Sequence, residues 1–236
     1  MNFSTLKPGQ LTIGASDFDA RPMTYLENGQ RLGYEPDVAR AVCAVLELEP
    51  VWLNLPMEKF YQTLQAQQCD VIWFNQAITE ERLSHSRFTR PYGIFDEAII
   101  VRAESDIHTA ADLHGLKLGG LADSTNLALG EQFAGVKLVP FPGSDQVLPE
   151  MLAALRAGEI DALVDDELVL ITAAEADPKL RIAFTVETRH RFAIALHPNS
   201  TDLLTALNQA LDQLEAEGTL EKLWHQWIPW RPFPFG

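Results

Sequence analysis

An α/β fold in two lobes, each a mostly parallel sheet flanked by helices, is predicted by three features of the sequence. The order β-α-β-α-β runs through residues 11–74. The same order restarts over residues 116–164, and a long apolar strand stands on either side of that second run. Strands that alternate with helices favour parallel pairing, because a right-handed helical crossover returns the chain to the same sheet.

Leu11–Ala15 is apolar, ends in small residues and reads as a buried first strand. Asn28-Gly29 is a turn pair between two short extended segments, since both residues tolerate a positive φ. Val38, Ala41, Val42, Val45 and Leu46 recur at helical spacing, with Pro36 in the first turn, where a missing N–H costs nothing. Val51–Leu55 is a second strand, Phe60, Leu64 and Gln67 mark a second helix, and Asp70–Phe74 is a third strand. In the second run, strands at Leu116–Leu121, Lys137–Phe141 and Ala162–Val164 alternate with helices at Asn126–Phe133 and Asp145–Ala157. Gly158 stops the latter helix.

The flanking strands, Glu97–Arg102 and Phe192–Leu196, read as two hinge crossings. Leu203–Leu223 is predicted as one amphipathic helix that returns to the first lobe, with Trp224, Trp227 and Trp230 beyond it. The first lobe is therefore expected at 1–102 plus 196–236, and the second, inserted lobe at 103–195. A ligand site is expected between the lobes, at the carboxyl ends of both sheets.

With 47% hydrophobic and 22% charged side chains, a chain of 236 residues can bury a real core. Its formal net charge of −15 repels phosphate backbones and anionic lipid, which argues against nucleic-acid or membrane-surface partners. No apolar run reaches the ~18–20 residues that cross a bilayer. Residues 1–10 lack the apolar segment of a secretory leader, so either the protein is cytoplasmic or a leader has been removed. Cys43 and Cys69 have neither CxxC nor metal-ligand spacing and sit among apolar residues, so buried free thiols are expected. The six His residues are scattered, and no nucleophile elbow, HExxH or P-loop pattern occurs. No metal and no cofactor is expected.

Five blocks then carry a resemblance. Gly33-Tyr34-Glu35-Pro36-Asp37-Val38, followed by the helical spacing through Leu46, resembles the signature of bacterial family 3 solute-binding proteins; Pro36 departs from its aliphatic place. Asp70-Val71-Ile72, Ile78-Thr79-Glu80-Glu81-Arg82 and Phe88-Thr89-Arg90-Pro91-Tyr92 together resemble the family's second block. Leu113 to Gly119 and Gly158-Glu159-Ile160-Asp161-Ala162 resemble the third and fourth, and Gly218 to Trp224 the last helix. The blocks stand in family order over residues 11–228.

The resemblance implies a two-lobed periplasmic binding fold of type II that closes on a small zwitterionic solute, an amino acid above all. It implies a monomer outside the cytoplasm that delivers its ligand to the permease of an ABC transporter. It also implies roles for residues. Arg82 would hold the ligand carboxylate through its planar fork, with a surface ion pair to Glu80 or Glu81 as the plainer alternative. Asp123-Ser124-Thr125 would complete that carboxylate site, with Asp123 in place of the family's Gly and a simple helix N-cap as the alternative. Asp166 would bind the α-ammonium, with Asp165 toward the side-chain pocket or solvent. Phe18 is the candidate stacking residue and Met57 the candidate second wall, with ordinary core filling as its alternative.

The segment Asn75-Gln76-Ala77 departs from the family, because Ala77 lacks the hydroxyl that meets the ligand's head group. Asn75 and the backbone of 75–77 remain able to accept from an ammonium. If several of Asp17, Asp19, Glu58, Asp123 and Asp165 face the site, a ligand with a cationic side chain or an amine would fit. If Ala77 and the altered loop exclude an α-amino acid, a betaine-type solute would fit. A sensing domain of a receptor would use the same binding physics. A few relatives of this fold dehydrate prephenate-like substrates with a Glu one helical turn past the acid at 166, but Val169 stands there and cannot act as a general acid.

Overall fold

The computed structural model describes residues 3–235. The chain divides into two units. Unit 1 comprises Met1–Asp17, Met23–Ile94 and His190–Gly236, and unit 2 comprises Phe18–Pro22 and Phe95–Arg189.

In unit 1, β1 (Gln10–Ala15) leads to a hairpin of β2 (Tyr25–Glu27) and β3 (Gln30–Leu32). Asn28 and Gly29 both turn with positive φ, 50° and 77°, as the Asn-Gly pair predicts. α1 (Tyr34–Val45) follows Gly33, whose φ of 122° suits only glycine. β4 (Glu49–Asn54), α2 (Phe60–Gln65), β5 (Val71–Ala77), α3 (Glu80–His85) and β6 (Arg87–Phe88) come next. β7 (Gly93–Arg102) carries the chain into unit 2. There, β8 (Lys117–Leu121), α4 (Thr125–Leu129), β9 (Lys137–Phe141), α5 (Val147–Ala157), β10 (Ala162–Asp166) and α6 (Glu167–Ala176) follow. β11 (Leu180–Leu196) carries the chain back to unit 1, where α7 (Thr201–Ala216) and α8 (Thr219–Trp227) complete it.

Each unit has the expected mixed, mostly parallel sheet. In unit 1, β1 runs parallel to both β4 and β5, while β5 and β6 pair antiparallel with the last residues of β11. In unit 2, β8 runs parallel to both β9 and β10, and β10 pairs antiparallel with β7. The two crossing strands also meet inside unit 1. A Cβ on Gly93 would lie 1.9 Å from Phe192 Cζ, so only a glycine lets β7 lie against that ring.

Leu11, Ile13, Val71 and Ile72 are fully buried in unit 1, with Val38 and Val42 of α1 turned in the same way. Burying one such side chain stabilises the fold by roughly 1.5–3 kcal/mol. α1 packs on α7 and α8. In unit 2, Ile99, Val101, Leu113, Leu118, Ala162 and Val164 form the core.

The single helix expected at 203–223 is instead two. Gly218 takes the left-handed conformation, with φ of 73°, and turns the chain between α7 and α8. The aromatic tail packs on unit 1. Trp224 is fully buried and its Nε1 donates to the Arg231 carbonyl at 2.8 Å, while Phe233 lies against its ring. Trp227 Nε1 donates to Asp37 Oδ2 at 2.8 Å, tying α8 to α1. Cys43 and Cys69 are buried free thiols, and burial pushes each up to about 12. Among the described residues, no helix is long and apolar enough to cross a membrane.

Candidate functional site

In unit 1, β5 hands the chain to α3, and the residues at this junction include the predicted Asn75, Ala77 and Arg82. Thr79 caps α3 by accepting from the Arg82 N–H at 3.2 Å, which fixes Arg82 in the first turn. From there its Nη1 donates to the Ala77 carbonyl at 2.9 Å, and the guanidinium lies over the Tyr61 ring, 5.7 Å from its centroid. Neither Glu80 nor Glu81 pairs with it; Arg82 makes no ion pair among the described residues. Stacking and one carbonyl bond orient a guanidinium without neutralising it.

Asn75 adopts φ of 45°, a left-handed position that Asn tolerates better than most residues, and its N–H donates to Glu35 Oε2 at 2.7 Å. Ala77 is buried, and its carbonyl is the acceptor for Arg82 Nη1. Met57 is half-buried in a short 3₁₀ turn, Met57–Lys59. Phe18 is buried and belongs to unit 2.

In unit 2, Asp123 sits at φ of 58° just ahead of α4, a left-handed position that Asp adopts more readily than most residues. Ser124 is the N-cap: its Oγ accepts from Leu127 N at 3.1 Å and donates to the Leu121 carbonyl at 2.7 Å. Thr125 Oγ1 donates to Asn126 Oδ1 at 3.2 Å. The Asn126 amide then bridges two carboxylates at the end of β10, reaching Asp165 Oδ1 at 2.7 Å and Asp166 Oδ1 at 3.0 Å. Both acids are buried, and the β10–β7 register sets Asp166 opposite Glu97, which is also buried. Burial pushes Asp165 up to about 6, with the Glu97 charge adding to it, against hydrogen bonds from the Asp166 N–H and Asn126.

The five acids considered for a cation-selective wall differ in their surroundings. Asp17 is paired to the buried Arg31 and Asp19 to Arg21, while Glu58 and Asp123 are exposed. Only Asp165 is buried.

The acids raised by burial give a pH prediction. Asp165 goes from 3.8 to about 6 and Glu35 from 4.5 to about 7, both chiefly by desolvation. Folded carboxyls with raised values hold protons that the unfolded chain has lost, so their stabilising effect is full at low pH and is lost as pH rises through those windows. Unfolding in urea at pH 5.5 and pH 8 should show a stability lower by roughly 1–3 kcal/mol at pH 8. Asp165→Asn should shrink that difference, and an unchanged slope in the variant would contradict the assignment.

Sequence reasoning missed Tyr61, Asn126, Glu35 and Arg31. Arg31 is buried at 4% exposure, donates to the Ser16 carbonyl at 2.6 Å and lies over Trp52, so it anchors the loop that precedes Phe18. Asn126 stands beside Thr125 in sequence, and that adjacency is the one signal that could have found it. The other three work through contacts to distant parts of the chain.

Residues 11–229 match the family described as bacterial extracellular solute-binding proteins, family 3. The chain is 28% identical over 209 residues to the ABC transporter arginine-binding protein 1 of Escherichia coli, covering 86% of this chain and 84% of that one. It is 27% identical over 231 residues to the histidine-binding periplasmic protein of Salmonella typhimurium, covering 92% and 86%. The solved structure of an ancestral arginine-binding protein bound to arginine aligns with a TM-score of 0.85 at 28% identity, covering 93% of this chain and 98% of that one. The match runs nearly end to end and takes in both units, so this chain belongs to the bacterial extracellular solute-binding proteins of family 3.

Proposed function

We propose that this protein binds an α-amino acid outside the cytoplasm and delivers it, chemically unchanged, to the permease of an ABC importer. The observation that carries this reading is Arg82, a guanidinium oriented by Tyr61 and the Ala77 carbonyl and without a carboxylate partner among the described residues. A ligand carboxylate would take that place, through two parallel charge-assisted bonds. Asp166 supplies the opposite charge, for the ligand's ammonium. Asn75 and the Ala77 backbone would meet the same head group, and Thr125 with the turn at Asp123 and Ser124 the carboxylate. Phe18 and Met57 are assigned to the ligand's apolar surfaces. Val169 in place of an acid supports binding without a reaction. The protein acts as a monomer in this scheme.

The names of two relatives and one solved structure point to arginine and histidine, so those two ligands are the first probes. In a thermal-shift screen of the amino acids, polyamines and betaines, a true ligand at ~100 times its Kd should add roughly 2.7 kcal/mol of stability. That corresponds to a rise of roughly 5–10 °C, with the largest expected for L-arginine or L-histidine. A response to betaines or polyamines alone would overturn the head-group assignment and keep the family.

A further inference from the structure

Glu35 is the first acid of the signature block, yet it faces inward. It is 1% exposed and lies in the first turn of α1. Its Oε1 accepts from the Tyr92 hydroxyl at 2.6 Å and its Oε2 from the Asn75 N–H at 2.7 Å. Tyr92 is fully buried, and its ring packs beside that of Trp73, with centroids 5.9 Å apart. Tyr34, beside Glu35, donates its hydroxyl to the Tyr92 carbonyl at 2.8 Å. Both donors to Glu35 are thus rooted in the core of unit 1, and one of them is the backbone of a predicted ligand residue.

The left-handed backbone at Asn75 is less favourable than an ordinary one even for Asn, and surrounding contacts help to hold it. Two residues on, the Ala77 carbonyl receives Arg82 Nη1. A carboxylate that fixes Asn75 therefore governs where the next two peptide units point, and with them the guanidinium.

We propose that Glu35 is a positioning residue for ligand binding, one that holds the 75–77 segment and, through it, Arg82 from inside unit 1. The proposal rests on the reading that this segment and Arg82 meet the ligand. It concerns no contact between Glu35 and the ligand itself.

Burial raises Glu35 to about 7, opposed by its bonds from Tyr92 and Asn75. The titratable groups facing it are Tyr92 and Tyr34, both held well above their ordinary range by burial; Arg90 and Glu215 act on Tyr34 through charge. Neither tyrosine changes charge near neutrality, so a titration sensed at Asn75 in that range reports Glu35.

The test uses the full chain and two substitutions. Glu35→Leu removes both acceptors, while Glu35→Gln keeps one carbonyl oxygen for the Asn75 N–H. Calorimetry with L-arginine should show affinity falling about tenfold to a hundredfold in Glu35→Leu, the range for hydrogen bonds lost from a charged group. Glu35→Gln should recover most of that loss. The Asn75 amide resonance should titrate near pH 7 in the wild type and stay flat in Glu35→Gln. Wild-type affinity in Glu35→Leu, or equal losses in both variants, would overturn the proposal. If Glu35→Leu does not fold, Glu35→Asp takes its place, since it keeps the charge but draws the carboxylate back from the Asn75 N–H, and wild-type affinity there sinks the idea. If neither L-arginine nor any other amino acid binds the wild type, the ligand reading falls, while the Asn75 titration still judges Glu35.

Discussion

Replacing Arg82 with alanine should abolish tight ligand binding and leave the unliganded protein folded. The guanidinium contributes one hydrogen bond, to the Ala77 carbonyl, and a face against Tyr61, and it is part of no buried network. Losing these should cost the fold little, within roughly 1 kcal/mol. For a bound carboxylate the loss is large, because truncating one partner of a desolvated charge pair costs about 2–5 kcal/mol, or roughly 30-fold to several thousandfold in Kd. Calorimetry against L-arginine and L-histidine, paired with melting of the free protein, separates the two effects. Retained affinity would refute the carboxylate role. A collapse in melting temperature would show that Arg82 serves the fold instead.

The second large effect is expected at the acidic pair of unit 2. Asp166→Asn should weaken binding of an α-amino acid by roughly a hundredfold or more, since an ammonium loses its counter-charge while the Asn126 bridge to Asp165 survives. Asp165→Asn should cost less than about tenfold in affinity, because Asp165 already accepts from two donors, Asn126 and the Asp166 N–H. The contrast between the two variants is the informative quantity. If Asp165→Asn proves the more damaging, the ammonium belongs to Asp165, and the family register is shifted by one residue here.

Much of the architecture was legible because local patterns and the final packing agree. The strand at Lys137–Phe141 has the bounds expected for it, and the parallel order follows from strands alternating with helices. The failures have physical reasons. Leu203–Leu223 keeps an amphipathic rhythm across Gly218, and only its left-handed φ reveals the break. The first two-thirds of β11 were not read because its residues are half-exposed and show no apolar run; burial becomes continuous only from Phe192. α6 went unread because Leu168, Val169 and Leu170 are buried in succession, which erases the 3.6-residue rhythm.

The candidate site divides in the same way. Arg82, Asp166 and the turn at Asp123 were approached through short motifs. Their supports were not, because each is a contact across the fold: Tyr61 lies under Arg82, Asn126 bridges to residues 39 and 40 positions away, and Glu35 reaches Asn75 over 40 positions. Buried polar partners of this kind carry no periodicity.

The discontinuity of unit 1 bears on how the protein is made. α1 packs on one side against helices encoded about 160 residues later, and β5 waits for β11 as its neighbour. A ribosome adding about 5–20 residues per second leaves that side uncovered for on the order of ten to thirty seconds. Most of unit 2, running from Phe95 to Arg189 without interruption, has its sequence complete before unit 1 does. The emerging chain therefore holds a finished inner piece beside an unfinished outer one. During that interval the half-made first unit exposes apolar surface and an unpaired strand edge, the features that favour aggregation.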